Sequence, residues 1–222
     1  MSGRARPALS LFARRPPSSS FSTSAGVGAA QPVKNVVVVG SGLMGAGIAQ
    51  VAAQSGLSVT MCDVSAEAVK KGEAQVAASL TRAARKAHPD DAAAQERFAA
   101  AALANLKTSA NSAAAAADAD LVVEAVVEDL ARKQELFERL DAAAPPHAVF
   151  ATNTSSLPVA AIAARVRRRD RFGGLHFFNP VPQMRLVEVV RTPDTSDDTY
   201  DTLVDVARKM KKTPVTCKDT PG

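Results

Sequence analysis

Short apolar runs alternate with longer amphipathic segments over most of the chain. The β-branched run at 35–39, bounded by Gly40, is typical of a fully buried strand. Ser65 is a suitable N-cap for a helix that Pro89 would stop near residue 86. By the same criteria, strands are predicted over 35–39, 58–63, 106–109, 121–125, 149–153, 171–178, 184–190 and 214–217. Helices are predicted over 42–54, 65–86, 91–103, 113–117, 129–143, 158–165 and 196–212.

Strands and helices that alternate at this spacing predict an α/β fold with a doubly wound, mostly parallel sheet. The helices at 65–86 and 91–103 follow one another with no strand between them, so they should form an inserted helical hairpin. The strands at 171–178 and 184–190 are joined by a Pro-rich turn, which predicts an antiparallel pair near the C-terminus.

Composition excludes two classes of protein. Of 222 residues, 46% are hydrophobic, which is too large a share for a disordered polymer. Aromatic residues make up only 4%, so the core must be mainly aliphatic. The two cysteines, Cys62 and Cys217, are too few for a disulfide scaffold and lack metal-site spacing. We expect free thiols in a reducing compartment.

Residues 1–31 differ in composition from the rest of the chain. They contain four arginines, seven serines and no acidic residue, and the first carboxylate of the sequence is Asp63. This pattern is typical of an organellar transit peptide, and a merely disordered N-terminus is the alternative. The arginines with Leu and Phe between them favour a mitochondrion over a chloroplast. Residues 32–222 would then form the globular domain.

Two features suggest partners that the surrounding sequence does not support. The stretch 35–62 has no charged residue and could span a bilayer, but its five glycines divide it into strand, turn and helix. The run at 165–171 holds five arginines without interleaved aromatics, which favours a solvated helix end. We therefore expect neither a membrane span nor a nucleic-acid partner.

The segment Gly40-Ser41-Gly42-Leu43-Met44-Gly45 has the pattern G-x-G-x-x-G between a predicted strand and a predicted helix. Such glycines allow a tight turn, close approach of a pyrophosphate, and close packing of helix on strand. Asp63 ends the next strand, 18 residues beyond Gly45, where a carboxylate would bind a ribose 2′-hydroxyl and repel a 2′-phosphate. This predicts NAD rather than NADP. Alternatively, the glycines serve only packing and Asp63 merely precedes a helix.

His176 lies in an apolar run and could be an ordinary core histidine. If the strands at 171–178 and 184–190 pair about a turn centred on Pro182, His176 faces Glu188, since each is six residues from the centre. A carboxylate beside an imidazole fixes one tautomer and stabilises the protonated ring, which leaves the other nitrogen to accept a proton from a substrate hydroxyl. The alternative is a cross-strand pair that only stabilises the hairpin.

Three segments together resemble the L-3-hydroxyacyl-CoA dehydrogenase family. They are Asn153-Thr154-Ser155-Ser156-Leu157, the stretch from Arg171 to Pro180, and Val187-Glu188-Val189-Val190. The similarity runs from about residue 34 to residue 222. It implies a Rossmann-like NAD-binding domain and oxidation of the 3-hydroxyl of an acyl-CoA thioester, with NAD as hydride acceptor, in β-oxidation. With the leader described above, we expect the protein in the mitochondrial matrix.

The resemblance assigns roles to individual residues. It makes His176 the general base, Glu188 its orienting partner, and Ser155 a hydrogen-bonding group for the substrate oxygen. The cofactor residues it implies are Gly40, Gly42, Leu43, Met44, Gly45, Asp63, Glu128, Lys133, Ser155 and Asn179, with Asn179 near the nicotinamide. The implied CoA contacts are Ser79, Lys86, Lys133 and Ser155. Ordinary alternatives are an acid at a helix start for Glu128, and solvated surface lysines for Lys133 and Lys86.

The sequence ends at Gly222, where members of this family continue into a helical second domain. That domain carries the homodimer contacts, much of the acyl pocket and an asparagine near the histidine. The resemblance therefore leaves two hypotheses open, an active dehydrogenase and a truncated fragment that binds NAD without turnover. Within the first, a 3-hydroxybutyryl-CoA dehydrogenase is a close rival.

Overall fold

In a computed structural model, the described part of the chain comprises Met1 and residues 32–220. The predicted leader at 1–31 lies almost entirely outside it. The strands are β1 Asn35–Val39, β2 Ser58–Cys62, β3 Leu106–Ser109, β4 Leu121–Glu124, β5 Val149–Thr152, β6 Phe172–Phe177, β7 Leu186–Arg191 and β8 Thr213–Lys218. The helices are α1 Leu43–Gln54, α2 Ala66–Ala87, α3 Ala92–Leu103, α4 Ser112–Ala116, α5 Leu130–Ala143, α6 Val159–Ile162 and α7 Asp197–Lys209. Short 3₁₀ turns follow at Ala163–Arg165 and Arg169–Arg171.

The eight strands form one sheet in the order β3-β2-β1-β4-β5-β6-β7-β8. The first six run parallel, β7 is antiparallel to β6, and β8 is parallel to β7. Chain order reverses at β1, which lies between β2 and β4. A ligand crevice is expected beyond the carboxyl ends of the strands at such a point. The predicted doubly wound fold is confirmed.

Two buried clusters cover the two faces of the sheet. Alternate residues of β1 divide between them, Val36 and Val38 on one face and Val37 and Val39 on the other. On the second face, the ring of Phe137 from α5 makes an edge contact with that of Phe172, with 4.7 Å between ring centroids. The sheet is buried on both sides, as a parallel sheet requires.

Side-chain caps start the long helices where the sequence indicates. Ser65 accepts a hydrogen bond from the backbone N–H of Ala68, and Asp91 accepts one from that of Ala94. The helices α2 and α3 pack against each other as the predicted inserted hairpin. Within residues 32–220, no helix is both long enough and apolar enough to cross a membrane.

Three predicted boundaries are wrong for local reasons. The helix predicted to reach 212 ends at Lys209, because Lys211 takes a left-handed conformation with φ of 58°. The strand predicted from 184 begins at Leu186, since Pro180 accepts hydrogen bonds from the N–H groups of Gln183 and Met184 in a turn. The helix predicted over 158–165 tightens into a 3₁₀ turn after Ile162.

Candidate functional site

The three glycines of the turn between β1 and α1 differ in what surrounds them. A Cβ on Gly40 would lie 2.4 Å from the carbonyl oxygen of Ala125, and one on Gly45 would lie 1.7 Å from that of Gly40. A Cβ on Gly42 would meet no atom within 4 Å. Two glycines therefore serve close packing, while Gly42 faces open space at the start of α1. The turn fits a dinucleotide, because a phosphate can approach the helix N-terminus at Gly42.

Asp63 is fixed beside this turn by three donors. Its Oδ2 accepts from the N–H and the hydroxyl of Ser41, both at 2.7 Å, and its Oδ1 accepts from the N–H of Val64. Partial burial opposes ionisation, but these hydrogen bonds outweigh it and lower the pKa of Asp63. An ionised carboxylate therefore lies in the same cleft as Gly40 and Gly42. This arrangement fits a ribose hydroxyl and disfavours a phosphate there.

The histidine and its acid are brought together by the sheet register. His176 on β6 is the partner of Glu188 on β7, and His176 Nδ1 lies 2.9 Å from Glu188 Oε2. The histidine side chain is 16% exposed, and its ring packs on Phe178 with centroids 4.5 Å apart. The contact at Nδ1 leaves Nε2 for another partner. The predicted cross-strand pairing of His176 and Glu188 is confirmed.

A small cavity lies at the carboxyl ends of the parallel strands, and His176 lines it. Met44, Glu128, Lys133 and Ser155 line the same cavity, so five of the residues proposed from the sequence lie together. The remaining lining residues are Ala125, Val126, Asn153 and Phe177. The cavity thus combines a proton acceptor, a hydroxyl and an acidic group at the switch point of the sheet.

Lys133 is not the solvated surface lysine that an exposed helix face would give. Its side chain is 1% exposed, and its Nζ lies 2.6 Å from Glu124 Oε1 and 3.1 Å from Glu128 Oε2. Burial opposes ionisation of Glu128, but hydrogen bonds from Thr154 and Lys133 outweigh it and lower the pKa of Glu128. Glu124 is not among the residues proposed from the sequence. Its signal is a carboxylate in an otherwise apolar strand, which needs a buried cation as partner.

Asn153 joins the loop after β5 to the strand that carries His176. Its Oδ1 accepts a hydrogen bond from the N–H of Phe177 at 2.8 Å, and its own N–H donates to the carbonyl of Glu124. The exposed Ser155 follows two residues later, and its N–H donates to Glu128 at 3.3 Å. The position of Ser155 therefore depends on contacts with both neighbouring strands.

Four of the other proposed residues line a separate groove between α1, α2 and the turn before β7. This groove, of about 800 Å³, is lined by Leu43, Ser79, Lys86 and Asn179, together with Arg82. Ser79 and Lys86 both face it from α2, about two turns apart. Asn179 lies in this groove and not among the residues around His176, so its contact with the nicotinamide remains a prediction.

A buried lysine that the sequence analysis did not single out holds the turn on this groove. Lys212 Nζ donates to the carbonyl oxygens of Val181 and Met184, the latter at 2.8 Å. Burial lowers the pKa of Lys212.

Both cysteines are free thiols, as predicted, and burial raises the pKa of Cys62 to about 11.

Several known proteins are similar to this chain in sequence. Residues 35–220 match the model of the 3-hydroxyacyl-CoA dehydrogenase, NAD binding domain. The mitochondrial hydroxyacyl-coenzyme A dehydrogenase of Rattus norvegicus is 50% identical over 190 residues, which cover 86% of this chain and 60% of that protein. A probable 3-hydroxyacyl-CoA dehydrogenase of Caenorhabditis elegans is 49% identical over 190 residues, or 86% of this chain and 62% of that protein.

Solved structures give the same result. FadB2 of M. tuberculosis superposes with a TM-score of 0.80 at 38% identity, over 86% of this chain and 66% of that one. The (S)-3-hydroxybutyryl-CoA dehydrogenase PaaH1 of Ralstonia eutropha also superposes with a TM-score of 0.80, at 40% identity. That superposition covers 86% of this chain and 65% of the PaaH1 chain. The chain spans about three fifths of the length of the curated relatives it matches. It belongs to the 3-hydroxyacyl-CoA dehydrogenase family and carries that family's NAD binding domain.

Proposed function

We propose that this chain binds NAD and supplies the proton-accepting half of an oxidation of L-3-hydroxyacyl-CoA to 3-oxoacyl-CoA, as in fatty acid β-oxidation. The observation that carries the proposal is the pairing of His176 with Glu188 in a cavity that Ser155 also lines. The relatives' names and the matched domain support the same reaction class.

The chemistry follows from the geometry of the dyad. His176 donates Nδ1–H to Glu188 Oε2, which leaves Nε2 as the acceptor for the proton of the substrate hydroxyl. The ring becomes positively charged as it takes that proton, and the adjacent carboxylate stabilises it. Ser155 would hold the substrate oxygen by a hydrogen bond. When bound, NAD accepts the hydride from the carbon that becomes the ketone.

The test uses a second histidine–carboxylate pair as its control. His147 Nε2 lies 3.1 Å from Asp120 Oδ1 at the amino ends of β4 and β5, away from the crevice. Reduction of acetoacetyl-CoA by NADH is followed for the chain and for a fusion that adds a relative's helical domain. His176→Gln should slow turnover by about 10²–10⁴-fold, the usual contribution of a general acid–base catalyst. His147→Gln should leave it unchanged, and equal rates in both variants would exclude this role for His176.

A second candidate for the 222 residues by themselves is NAD binding without turnover, since they span about three fifths of the length of the relatives they match. The same assay separates the two. We expect the 222-residue chain to bind NADH with weak or no turnover, and the fusion to turn over. Activity of the chain alone at the level of the fusion would exclude the fragment hypothesis. A series of acyl-CoA chain lengths distinguishes a 3-hydroxybutyryl-CoA dehydrogenase from an enzyme for longer substrates.

We propose that CoA binds in the groove formed by α1 and α2. Ser79 and Lys86 offer a hydroxyl and a cation there, which suit the phosphates of CoA. Lys86→Gln in the fusion should raise KM for acetoacetyl-CoA with little change in kcat. The matched control is Lys71→Gln, an exposed lysine on α2 that does not line the groove. Equal KM values in the two variants would place CoA elsewhere.

We propose further that the protein acts in the mitochondrial matrix, with residues 1–31 as its transit peptide. The arginines and serines of this leader, without acidic residues, support the proposal, as do relatives described as mitochondrial. Residues 1–31 fused to a fluorescent protein should direct it to the matrix, and replacement of the four arginines by Gln should leave it in the cytosol. Diffuse fluorescence of the unaltered fusion would contradict this targeting.

A further inference from the structure

The carboxylate of Glu124 is fully buried and has three donors. Its Oε1 accepts from the N–H of Val126 at 2.7 Å and from Lys133 Nζ at 2.6 Å. Its Oε2 accepts from the hydroxyl of Thr152 at 2.7 Å. Removing a charge from water is costly unless it is paired and hydrogen-bonded, and both conditions are met here. The end of β4 therefore holds a fixed negative charge behind the cavity wall.

Lys133 shares its single positive charge between two carboxylates. The side chain of Glu124 is 0% exposed, whereas that of Glu128 is 38% exposed and lines the cavity. Glu128 is held in turn by the hydroxyl of Thr154 and the N–H of Ser155. Two carboxylates and one ammonium leave the triad Glu124–Lys133–Glu128 with one net negative charge at the cavity.

Among the other described residues that line this cavity, His176 is the only one that can carry a charge; the rest are Met44, Ala125, Val126, Asn153, Ser155 and Phe177. With a neutral imidazole, the triad and the carboxylate of Glu188, which contacts His176 at 2.9 Å, both make the local potential negative, and of these two contributions the triad's charge is the one that Glu124 changes. The nicotinamide ring of NAD carries a positive charge in its oxidised form and none after it has accepted a hydride. A negative cavity wall stabilises the first form more than the second.

We infer that Glu124 is a positioning residue that, through Lys133, sets this net charge and so favours binding of the oxidised cofactor over the reduced one. The inference rests on the proposed function, since it needs the reactive end of NAD beside His176. Glu124 acts without touching the cofactor, because the lysine and the cavity wall separate it from the open space. A purely structural role would weaken both redox forms alike.

Four proteins that carry three different charges at the triad test this inference. Dissociation constants of NADH, by its fluorescence, and of NAD⁺, by competition, are measured at one neutral pH for the 222-residue chain and three variants. Glu124→Gln makes the triad neutral, Lys133→Gln makes it doubly negative, and the double variant restores one negative charge. We expect the ratio Kd(NAD⁺)/Kd(NADH) to rise about three- to tenfold in the first and to fall in the second, as for a partly screened unit charge. In the double variant it should return close to the original.

The control is a second buried ion pair, neither member of which lines the cavity. Asp141 on α5 pairs with Arg168, and its side chain is 2% exposed. Asp141→Asn should lower the free energy of unfolding in urea without changing the ratio. Should Glu124→Gln not fold, the difference between Lys133→Gln and the double variant isolates the charge of Glu124.

Two results would overturn the inference. One is an unchanged ratio in variants that bind both forms, and the other is a shift in the same direction in both single variants. The proposed function fails differently. In that case the unaltered chain binds neither NAD⁺ nor NADH, or the fusion keeps its activity in His176→Gln.

Discussion

Substitution of Gly42 tests directly whether the turn between β1 and α1 binds the cofactor, because a methyl group added there meets open space and not the protein. The residue has φ of −66° and ψ of −169°, which alanine adopts without strain. A Cβ at this position has no neighbour within 4 Å, whereas one on Gly40 or Gly45 would overlap backbone atoms. Gly42→Ala should therefore fold normally, and its methyl should occupy the space through which a phosphate approaches α1.

The expected magnitudes separate stability from binding. Alanine reduces the conformational entropy of the unfolded chain, which stabilises the folded protein by about 0.4–1 kcal/mol. This gain roughly cancels the cost of replacing glycine by alanine at the N-cap of α1. We expect an unfolding free energy within about 0.5 kcal/mol of the original protein. Steric overlap typically costs about 1–3 kcal/mol, which corresponds to roughly 5- to 150-fold weaker NADH binding.

Urea unfolding and NADH fluorescence titration measure these two quantities on the same samples. Gly72→Ala is the comparison, since its Cβ would lie 2.6 Å from Ser41 Cβ and push α2 away from the turn. It should lower the unfolding free energy by about 1–3 kcal/mol. If Gly42→Ala binds NADH as tightly as the original protein, the dinucleotide does not pass over Gly42, and the proposed binding site at the turn between β1 and α1 is wrong.

Three further predictions concern the carboxylates and the core. Ser41→Ala removes one hydrogen bond to Asp63 and should weaken NADH binding about five- to tenfold, whereas unchanged affinity would show that Ser41 does not position that carboxylate. The folded pKa of Glu128 lies below its ordinary value of 4.5, so its stabilising contribution is present above that pH and is lost as pH falls through the folded value. Unfolding free energies of Glu128→Gln should accordingly depend less on pH below about 4.5, and identical pH profiles would contradict this. Phe137→Ala should cost about 3–5 kcal/mol in urea unfolding, and a loss below about 1 kcal/mol would mean that the ring packing contributes little.

The order of the elements and the cofactor turn could be predicted from the amino-acid sequence. Strand and helix patterns here are local, because side-chain periodicity and caps such as Ser65 act within a few residues. The pairing of His176 with Glu188 was also accessible, since a short Pro-rich turn leaves few registers for an antiparallel pair. The boundaries that failed depended on single backbone conformations, such as the positive φ of Lys211.

The partners of the buried charges, in contrast, could not be predicted before the fold was known. Glu124, Lys133 and Glu128 lie on a strand, a helix and a loop, and their spacing along the chain does not reveal that one ammonium serves both carboxylates. Lys212 meets the carbonyls of a turn about 30 residues earlier in the chain. The placement of Asn179 in the groove of α1 and α2, apart from His176, likewise depends on how the turn packs. Burial and ion pairing are set by which elements come together in space, and that information is distributed over the whole fold.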